Sequence, residues 1–359
     1  MHTLIVGAGP AGCATAIGLA RRGVQPVLLE RTRETGDALC GGFLSWRTLD
    51  RLRALGIDPD RLSRRRIGRV HVFAGEREAE APLPFPALAV SRRTLDTIML
   101  AEAERVGAGV ERGVAVRSAE AGSVTLADGT ALSPEALFLA VGKHDLRGLP
   151  RPTPGPDDDP ALGIRVRLAP SDVVCRRIED AIELHLFDRG YAGLAVQEDG
   201  SANLCLAVRR SRLREAGTPD LLLQAIALEA PAFGDRLAMR ETGSGVDAVA
   251  NVPYGWRMRE GVAGLFRLGD QAAVIPSLAG EGMGIAIASG CSASAAYLRR
   301  GAGASAAWQR DFARDAARPI RVAGLVRDLA EGPIAARALP WLGRAPFLIR
   351  AVAHATRMK

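Results

Sequence analysis

The stretch LIVGAGPAG, Leu4 to Gly12, decides the fold. It joins a short apolar run to the pattern Gly-x-Gly-x-x-Gly, and the helical pattern that follows would end at Gly23. Glycines in such a turn let a pyrophosphate approach the backbone, and the helix N-terminus presents its unpaired N–H groups to the phosphates. A second apolar run ends at Glu30, whose carboxylate would accept hydrogen bonds from a ribose. We therefore predict a dinucleotide-binding unit, although the motif alone does not separate FAD from NAD(P). The binding residues predicted from this unit are Gly7, Gly9, Pro10, Ala11, Gly12, Glu30 and Arg31.

Composition narrows the class of protein. The 359 residues suffice for two domains, and a hydrophobic content of 48% favours an α/β enzyme over a disordered chain. The net charge is +7, but the basic residues are spread along the chain and nearly all are arginine, so we expect no nucleic-acid partner. Five scattered cysteines without a Cys-x-x-Cys pair indicate neither a disulfide scaffold nor a metal site. We expect a cytoplasmic protein without a signal peptide or a membrane-spanning run.

Two further segments extend the nucleotide-binding pattern. Gly264 to Asp270 is predicted to be a buried strand that ends in Gly-Asp, and a glycine-rich loop, LAGEGMG, then leads into a helix over Ile285–Leu298. Another apolar run, ALFLAVG, ends at Gly142. The segment VSRRTLD, from Val90, has a basic residue at the start of a predicted helix.

With these segments, the chain resembles the FAD-dependent oxidoreductases of the para-hydroxybenzoate hydroxylase fold, and within them the geranylgeranyl-reductase-like branch. In that family the Gly-Asp strand holds the flavin ribityl chain or ribose, and the Pro-x-x-Gly-Glu-Gly segment lies against the isoalloxazine. A helix N-terminus there would stabilise an anionic reduced ring. The resemblance implies noncovalent FAD, with V-x-R-x-x-(F/L)-D supplying an arginine for its phosphates or ribityl chain. The implied cofactor residues are Arg92, Gly142, Gly269, Asp270, Pro276, Gly280, Gly282 and Met283.

Cys40, Gly41 and Gly42 match part of the K-x-C-G-G pattern of that branch, with Ala38 in place of the lysine. The resemblance implies that this segment wraps the flavin, where the two glycines let the backbone pass close to the ring. Cys40 is then either a structural residue or a group that takes part in acid or redox chemistry. A thiol–disulfide relay would need a second cysteine from a distant part of the chain.

We predict an α/β fold with a discontinuous Rossmann-like FAD-binding domain, an antiparallel β-sheet substrate domain and a helical C-terminal cap. Segments that alternate apolar and polar residues indicate the antiparallel sheet, and a proline- and aspartate-rich stretch, Gly148–Pro160, would connect the two domains. The predicted domains are residues 1–68, 89–147 and 256–300 for FAD, 69–88 and 160–255 for the substrate, and 301–359 for the cap.

Three side chains are candidate proton donors: Cys40, Tyr191 and His185. Tyr191 keeps the first residue of the Y-x-W-x-F-P pattern of prenyl reductases, but the tryptophan, phenylalanine and proline are absent, so a polyprenyl substrate does not carry over. The Asp-Gly pair that the hydroxylases usually have after the strand ending near Val141 is absent too.

The leading hypothesis is hydride transfer between the flavin and an apolar or aromatic small molecule, in lipid, quinone or secondary-metabolite biosynthesis. The alternatives are an NAD(P)H-dependent monooxygenase and a non-catalytic flavin-binding or electron-transfer protein. NAD(P)H would dock transiently as the electron donor, because no second Gly-x-Gly-x-x-Gly unit appears.

The region from Ala302 onward alternates apolar and basic residues in a helical pattern. Such a segment either packs as a cap on the FAD domain or rests peripherally on an anionic membrane.

Overall fold

The computed structural model describes residues 3–151, 159–240, 245–332, 339 and 345–358. Part of the predicted connection, at 152–158, and part of the predicted cap, at 333–338 and 340–344, lie outside the described residues. The strands in the described ranges are β1 (Thr3–Val6), β2 (Val27–Glu30), β3 (Phe43–Leu44), β4 (Ile67–Ala74), β5 (Arg77–Ala89), β6 (Gly109–Arg112), β7 (Val116–Glu120), β8 (Ser123–Leu126), β9 (Ala131–Leu132), β10 (Ala136–Leu139), β11 (Ala161–Leu168), β12 (Ala181–Phe187), β13 (Gly190–Val196), β14 (Ala202–Arg209), β15 (Val246–Val252) and β16 (Leu265–Arg267). The helices are α1 (Pro10–Ala20), α2 (Trp46–Ala54), α3 (Arg92–Arg105), α4 (Asp172–Ile178), α5 (Arg210–Ala216), α6 (Pro219–Glu229), α7 (Pro231–Leu237), α8 (Gly282–Arg300), α9 (Ser305–Asp315), α10 (Ala317–Ala330) and α11 (Pro346–Ala355).

A parallel sheet in the order β16-β10-β1-β2-β6 forms the first layer. The strands β1, β10 and β16 are short apolar runs buried on both faces, as parallel strands usually are, whereas the edge strand β6 is partly exposed. Ile5, Phe138 and Phe266 pack against α1, α3 and α8 on one face. Leu4 and Leu139 pack on the other face against the small antiparallel sheet β7-β8-β9, which the sequence patterns did not predict.

Two glycines bring the layers close together at the nucleotide end of this sheet. A Cβ on Gly12 would lie 1.9 Å from the carbonyl oxygen of Gly7, so only glycine lets α1 start this close to the turn after β1. A Cβ on Gly290 in α8 would lie 2.4 Å from the carbonyl oxygen of Ala11, so α8 packs backbone to backbone on α1.

The second layer is an eight-stranded sheet in the order β15-β11-β14-β13-β12-β4-β5-β3, which we call the roof sheet. The predicted antiparallel pairing is confirmed, except that β12 and β4 are parallel. Ala192, Leu194 and Val196 pack under helices α4, α6 and α7, and this side is the outer face. Tyr191 and Ala195 point to the opposite side, the inner face, which faces the parallel-sheet domain.

The C-terminal helices join both layers. Trp308 and Phe312 of α9 pack into the core below β16 and α8, and α11 lies along β5. In the part of the chain that the structure describes, no helix is both long and apolar enough to cross a membrane. The predicted α/β fold with its helical C-terminal region is confirmed.

Candidate cofactor and active site

The turn after β1 has the geometry of a phosphate cradle. Gly7 has φ +103°, and a Cβ there would lie 2.5 Å from the carbonyl oxygen of Ala140. The next glycine, Gly9, precedes α1, whose first turn has neither a side-chain cap nor an acidic residue. A Cβ on Gly9 would meet only the guanidinium of Arg92, at 3.3 Å. The first N–H groups of α1 are therefore available to an anionic group that approaches this backbone.

Glu30 ends β2 beside this turn. Its Oε2 accepts a hydrogen bond from the backbone N–H of Ala8 at 2.9 Å, and its Oε1 accepts two from Thr32. The carboxylate is therefore fixed next to the cradle, at the position expected of a ribose ligand. Arg31 follows it and is exposed.

Arg92 begins α3 and is turned toward the same turn. It makes a two-pronged ion pair with Asp96, with Nε–Oδ1 at 2.9 Å and Nη2–Oδ2 at 2.6 Å. The preceding Ser91 caps the helix and donates from its N–H and hydroxyl to Glu198 beyond β13. Arg92 is thus held at the phosphate cradle by an ion pair on α3, and the roof sheet anchors the start of that helix.

The loop between β16 and α8 approaches Phe43, which directly follows Cys40, Gly41 and Gly42. Gly269 has φ +55° and is followed by the half-buried Asp270. Gly280 has φ +61°, and a Cβ there would lie 2.8 Å from the ring of Phe43. Pro276 and Met283 are buried, and a Cβ on Gly282 would meet nothing within 4 Å. The start of α8 is therefore open to a flat group that rests on it. Gly142 follows β10 with φ +66°.

Residues 37–42, the Cys-Gly-Gly segment, lie beneath the roof sheet. Arg165 on β11 donates to the carbonyl oxygens of Asp37 and Ala38 at 2.8 and 2.9 Å. Asn203 and Cys205 on β14 both donate to the carbonyl oxygen of Cys40. Hydrogen bonds from two roof strands therefore hold this backbone in place.

The glycines of the segment differ in environment. Gly42 has φ +78°, and a Cβ there would lie 2.7 Å from the carbonyl oxygen of Val90, so only glycine fits without strain. A Cβ on Gly41 would meet nothing within 4 Å. Gly41 is exposed, and its backbone faces open space.

Tyr191 lies on the inner face and contacts the loop before α8. Its hydroxyl is 2.7 Å from the hydroxyl of Ser277 and accepts from the N–H of Leu278 at 3.0 Å. Tyr254 also donates to the Ser277 hydroxyl, at 2.9 Å. Burial raises the pKa of Tyr191 well above its usual range and the pKa of Tyr254 to about 12. Both phenols are therefore neutral at physiological pH and remain proton donors.

His185 lies on the outer face, away from Cys40 and Tyr191. Its β12 register pairs it with Ala192, and its ring stacks on Phe73 with centroids 4.9 Å apart. It shares a buried hydrogen-bonded network with Glu183, which Arg236 binds through two nitrogens. Burial lowers the pKa of His185, which keeps it neutral. The structure brings together two of the three predicted proton donors, and it places the third in the packing under α7.

The sequence patterns missed several residues of this site. Tyr254, Ser277, Asn203 and Cys205 reach it only because strands and loops far apart in the chain pack together. A signal for the strand residues was present in the period-two alternation of β14, which puts Asn203 and Cys205 on the same face.

This geometry fits FAD. The glycine turn and α1 would hold the pyrophosphate, Glu30 the adenosine ribose, and Asp270 the ribityl chain or ribose. The isoalloxazine would lie between the start of α8, the Cys-Gly-Gly segment and the inner face. None of these contacts needs a covalent link between the protein and FAD.

Comparison with known proteins agrees with this assignment. Residues 1–135 match the protein family described as an FAD binding domain. Menaquinone reductase from two strains of Mycobacterium tuberculosis is 36% identical over 157 residues, 40% of this chain and 38% of the relative. The chain thus matches well under half the length of these curated relatives.

Solved structures share the fold over nearly the whole chain. A flavoprotein/dehydrogenase from Cytophaga hutchinsonii has a TM-score of 0.77 at 16% identity, over 99% of this chain and 92% of its own. PqsL, a probable FAD-dependent monooxygenase from Pseudomonas aeruginosa, has a TM-score of 0.69 at 18% identity, over 97% and 99%. A variant of halogenase PltM in complex with FAD has 0.72 at 14%, over 89% and 74%.

The chain therefore has the fold of solved flavoproteins, and its glycine turn lies in the part of the sequence that matches an FAD binding domain.

Proposed function

We propose that the chain is an FAD-dependent reductase that transfers hydride between the flavin and an apolar small molecule of the isoprenoid-quinone or lipid type. The observation that carries the proposal is the apolar inner face of the roof sheet. Next to the Cys-Gly-Gly segment, Phe43, Ala89 and Ala195 form one buried cluster. It continues through the half-buried Leu83 and Ile182.

Beyond that cluster the inner face stays apolar. Leu184 and Leu186 on β12 are half-buried and pack with Val70 and Val72 on β4, and Leu339 and Ile349 of the C-terminal region cover part of this face. An apolar molecule that reaches the flavin would gain about 25 cal/mol for each Å² of apolar surface it buries here. A charged substrate would find no ionic partner among these side chains. The partial match to menaquinone reductase supports the same substrate class.

The hydroxyl cluster of Tyr191, Ser277 and Tyr254 is proposed to supply the proton. Reduction of a carbon–carbon double bond needs a hydride at one carbon and a proton at the other. Bound FAD supplies the hydride when it is reduced. Tyr191 would donate its phenolic proton and be reprotonated by Tyr254 across Ser277, since both phenols contact that hydroxyl.

The test begins with anaerobic reduction of the FAD-loaded protein by light and a chemical donor. A short-chain menaquinone is then mixed in, and the product mass is measured. A product that keeps two added hydrogens after any quinol has been reoxidised in air, formed as the flavin reoxidises, is the expected result. A product with one added oxygen, formed only when air is admitted, would instead establish the monooxygenase alternative. The fold shared with PqsL, a probable monooxygenase, supports that alternative.

A variant pair tests the proton donor. Tyr191→Phe should keep the flavin spectrum and lower turnover by about 10²-fold or more, the usual loss for a general acid. Tyr297→Phe is the matched control, because that ring packs against Phe138 and Phe266 in the core below the parallel sheet. Equal turnover in both variants would assign the proton to water or another group.

NAD(P)H is proposed as the transient electron donor. Rapid mixing of the FAD-loaded protein with NADH or NADPH should bleach the flavin absorbance in a saturable way. If neither nucleotide bleaches it, the donor is another reductant.

A further inference from the structure

Cys40 and Cys205 are 165 positions apart in the chain and meet beneath the roof sheet. The Sγ of Cys205 donates to the carbonyl oxygen of Cys40 at 3.3 Å. Both cysteines are free thiols and half-buried. The distant second cysteine that a thiol–disulfide step requires is therefore present.

The two residues are held in this arrangement from both sides. Asn203, two positions before Cys205 on the same strand, binds the same carbonyl oxygen. Arg165, on the neighbouring strand β11, binds the carbonyl oxygens of Asp37 and Ala38. The Cys40 side chain packs against the core of the parallel-sheet layer, so it has to rotate toward β14 for the two sulfurs to meet.

The surroundings of the two cysteines indicate which thiol reacts first. Lys143 donates to the carbonyl oxygen of Leu39 at 3.3 Å, so an ammonium adjoins the segment that carries Cys40. Burial, and next the neighbouring Cys40, raise the pKa of Cys205 to about 12. Cys40 therefore suits the attacking thiol and Cys205 the one that reacts second.

We propose that Cys40 and Cys205 form a reversible disulfide by exchange with a small-molecule disulfide such as oxidised glutathione. The Cys40 thiolate attacks one glutathione sulfur, and a first glutathione thiolate leaves. Cys205 gives its proton to solvent and attacks the Cys40 sulfur, and a second glutathione thiolate leaves. Two protein thiols are oxidised, and one glutathione disulfide is reduced to two thiols.

The disulfide would link the Cys-Gly-Gly segment covalently to β14. At present only hydrogen bonds join them, and the segment borders the open space at Gly41. This covalent bond would keep the segment from moving away from the roof sheet. Release of bound FAD should therefore be slower from the oxidised protein than from the reduced one.

The test equilibrates the full FAD-loaded chain in buffers of graded oxidised-to-reduced glutathione ratio, blocks free thiols with N-ethylmaleimide, and maps the peptides by mass. The expected result is a cross-linked pair of peptides containing Cys40 and Cys205, formed with one midpoint and reversed by dithiothreitol. Absence of that pair at every ratio would overturn the proposal.

Two variants test whether Cys205 is the thiol that displaces glutathione from Cys40. Cys205→Ser should accumulate a glutathione adduct on Cys40, because nothing displaces it. Cys175→Ser is the matched control and should still form the cross-link, since Cys175 contacts Gly200 in the turn before β14. An adduct that persists on Cys40 in the unaltered chain would also contradict the proposal, and this peptide map decides even if Cys205→Ser does not fold.

Discussion

The imidazole of His185 is enclosed by Phe73, Phe233 and the Glu183–Arg236 ion pair. Its Nδ1 is buried without a hydrogen-bond partner among the described residues. A protonated ring would need a partner for that second N–H, so the folded protein favours the neutral form. Burial accordingly lowers the pKa of His185, although Glu183 opposes the shift.

This shift predicts a pH-dependent stability. Below about pH 6.5 the unfolded chain binds a proton at this ring and the folded chain does not, so stability falls as the pH drops toward the folded pKa. The slope is at most about 1.4 kcal/mol per pH unit. His185→Gln should remove this component between pH 6.5 and 5, measured as the free energy of unfolding in urea. The exposed His354→Gln is the control, and equal slopes in all three proteins would contradict the assignment.

The placement of His185 shows what a pattern in one strand can and cannot predict. Alternation in β12 correctly predicts a strand, but the face depends on its register with β13 and β4. A shift of one residue would exchange the two faces. The motifs that contain Tyr191 and Cys40 predict that both lie near the flavin, whereas no local signal places His185.

At the level of elements, α11 and the residues after it connect to the start of α8. Arg357 is buried and donates to the carbonyl oxygen of Ala279 at 2.6 Å. Its Nε lies 3.4 Å from Oε2 of Glu281, which is fully buried and precedes α8. Its guanidinium also lies over Trp46, 5.3 Å from the ring centre. A basic side chain from one end of the chain thus supports the loop assigned to the flavin.

Removal of this arginine should destabilise the whole fold. Arg357→Met leaves the Glu281 carboxylate buried without its cation, at a cost of about 3–5 kcal/mol in urea unfolding. Burial raises the pKa of Glu281, so the loss should shrink at acidic pH, where that carboxyl is protonated. Arg350→Met, on the exposed side of α11, should cost little. Equal stability of the two variants would show that the buried pair contributes nothing.

The elements themselves were predictable to different degrees. The glycine turn, β1, α1, β10, β16 and α8 follow from local motifs and apolar runs, and the structure has them where expected. The sheet β7-β8-β9 was missed, because its strands are largely exposed and form no apolar run like those of β1 and β10. The parallel β12–β4 pair was missed too, because it joins segments more than a hundred residues apart.

At the scale of the whole molecule, we propose that an anionic lipid surface binds the side of α10 and α11. Leu325 and Leu329 on α10 and Phe347 on α11 are 60–66% exposed. Arg321 and Arg350 are exposed on the same helices, and the net charge of +7 complements an acidic membrane. A quinone or lipid substrate would be delivered from such a surface.

Vesicle flotation tests this proposal. The protein should float with phosphatidylglycerol vesicles, less with phosphatidylcholine vesicles, and less at high salt. Phe347→Glu should reduce the bound fraction about fivefold or more, since it removes apolar area and adds a repelled charge. The control Leu228→Glu alters a side chain that is 88% exposed on α6, in the outer helical layer. If the control lowers binding equally, only net charge matters and the surface is not the one proposed.

FAD binding at the glycine turn is tested most directly by a titration of the flavin-free chain with FAD, followed by flavin fluorescence and thermal unfolding. The unaltered chain should bind one FAD and gain stability as the site fills. Gly9→Val should weaken binding by at least about 10²-fold, because the valine blocks the pyrophosphate. It should still fold, since Gly9 has φ −74° and a Cβ there meets only the Arg92 side chain. The control Gly303→Val, whose Cβ would meet nothing within 4 Å, should bind normally. An unaltered chain that binds no FAD, or a folded Gly9→Val that binds it equally well, would contradict the account.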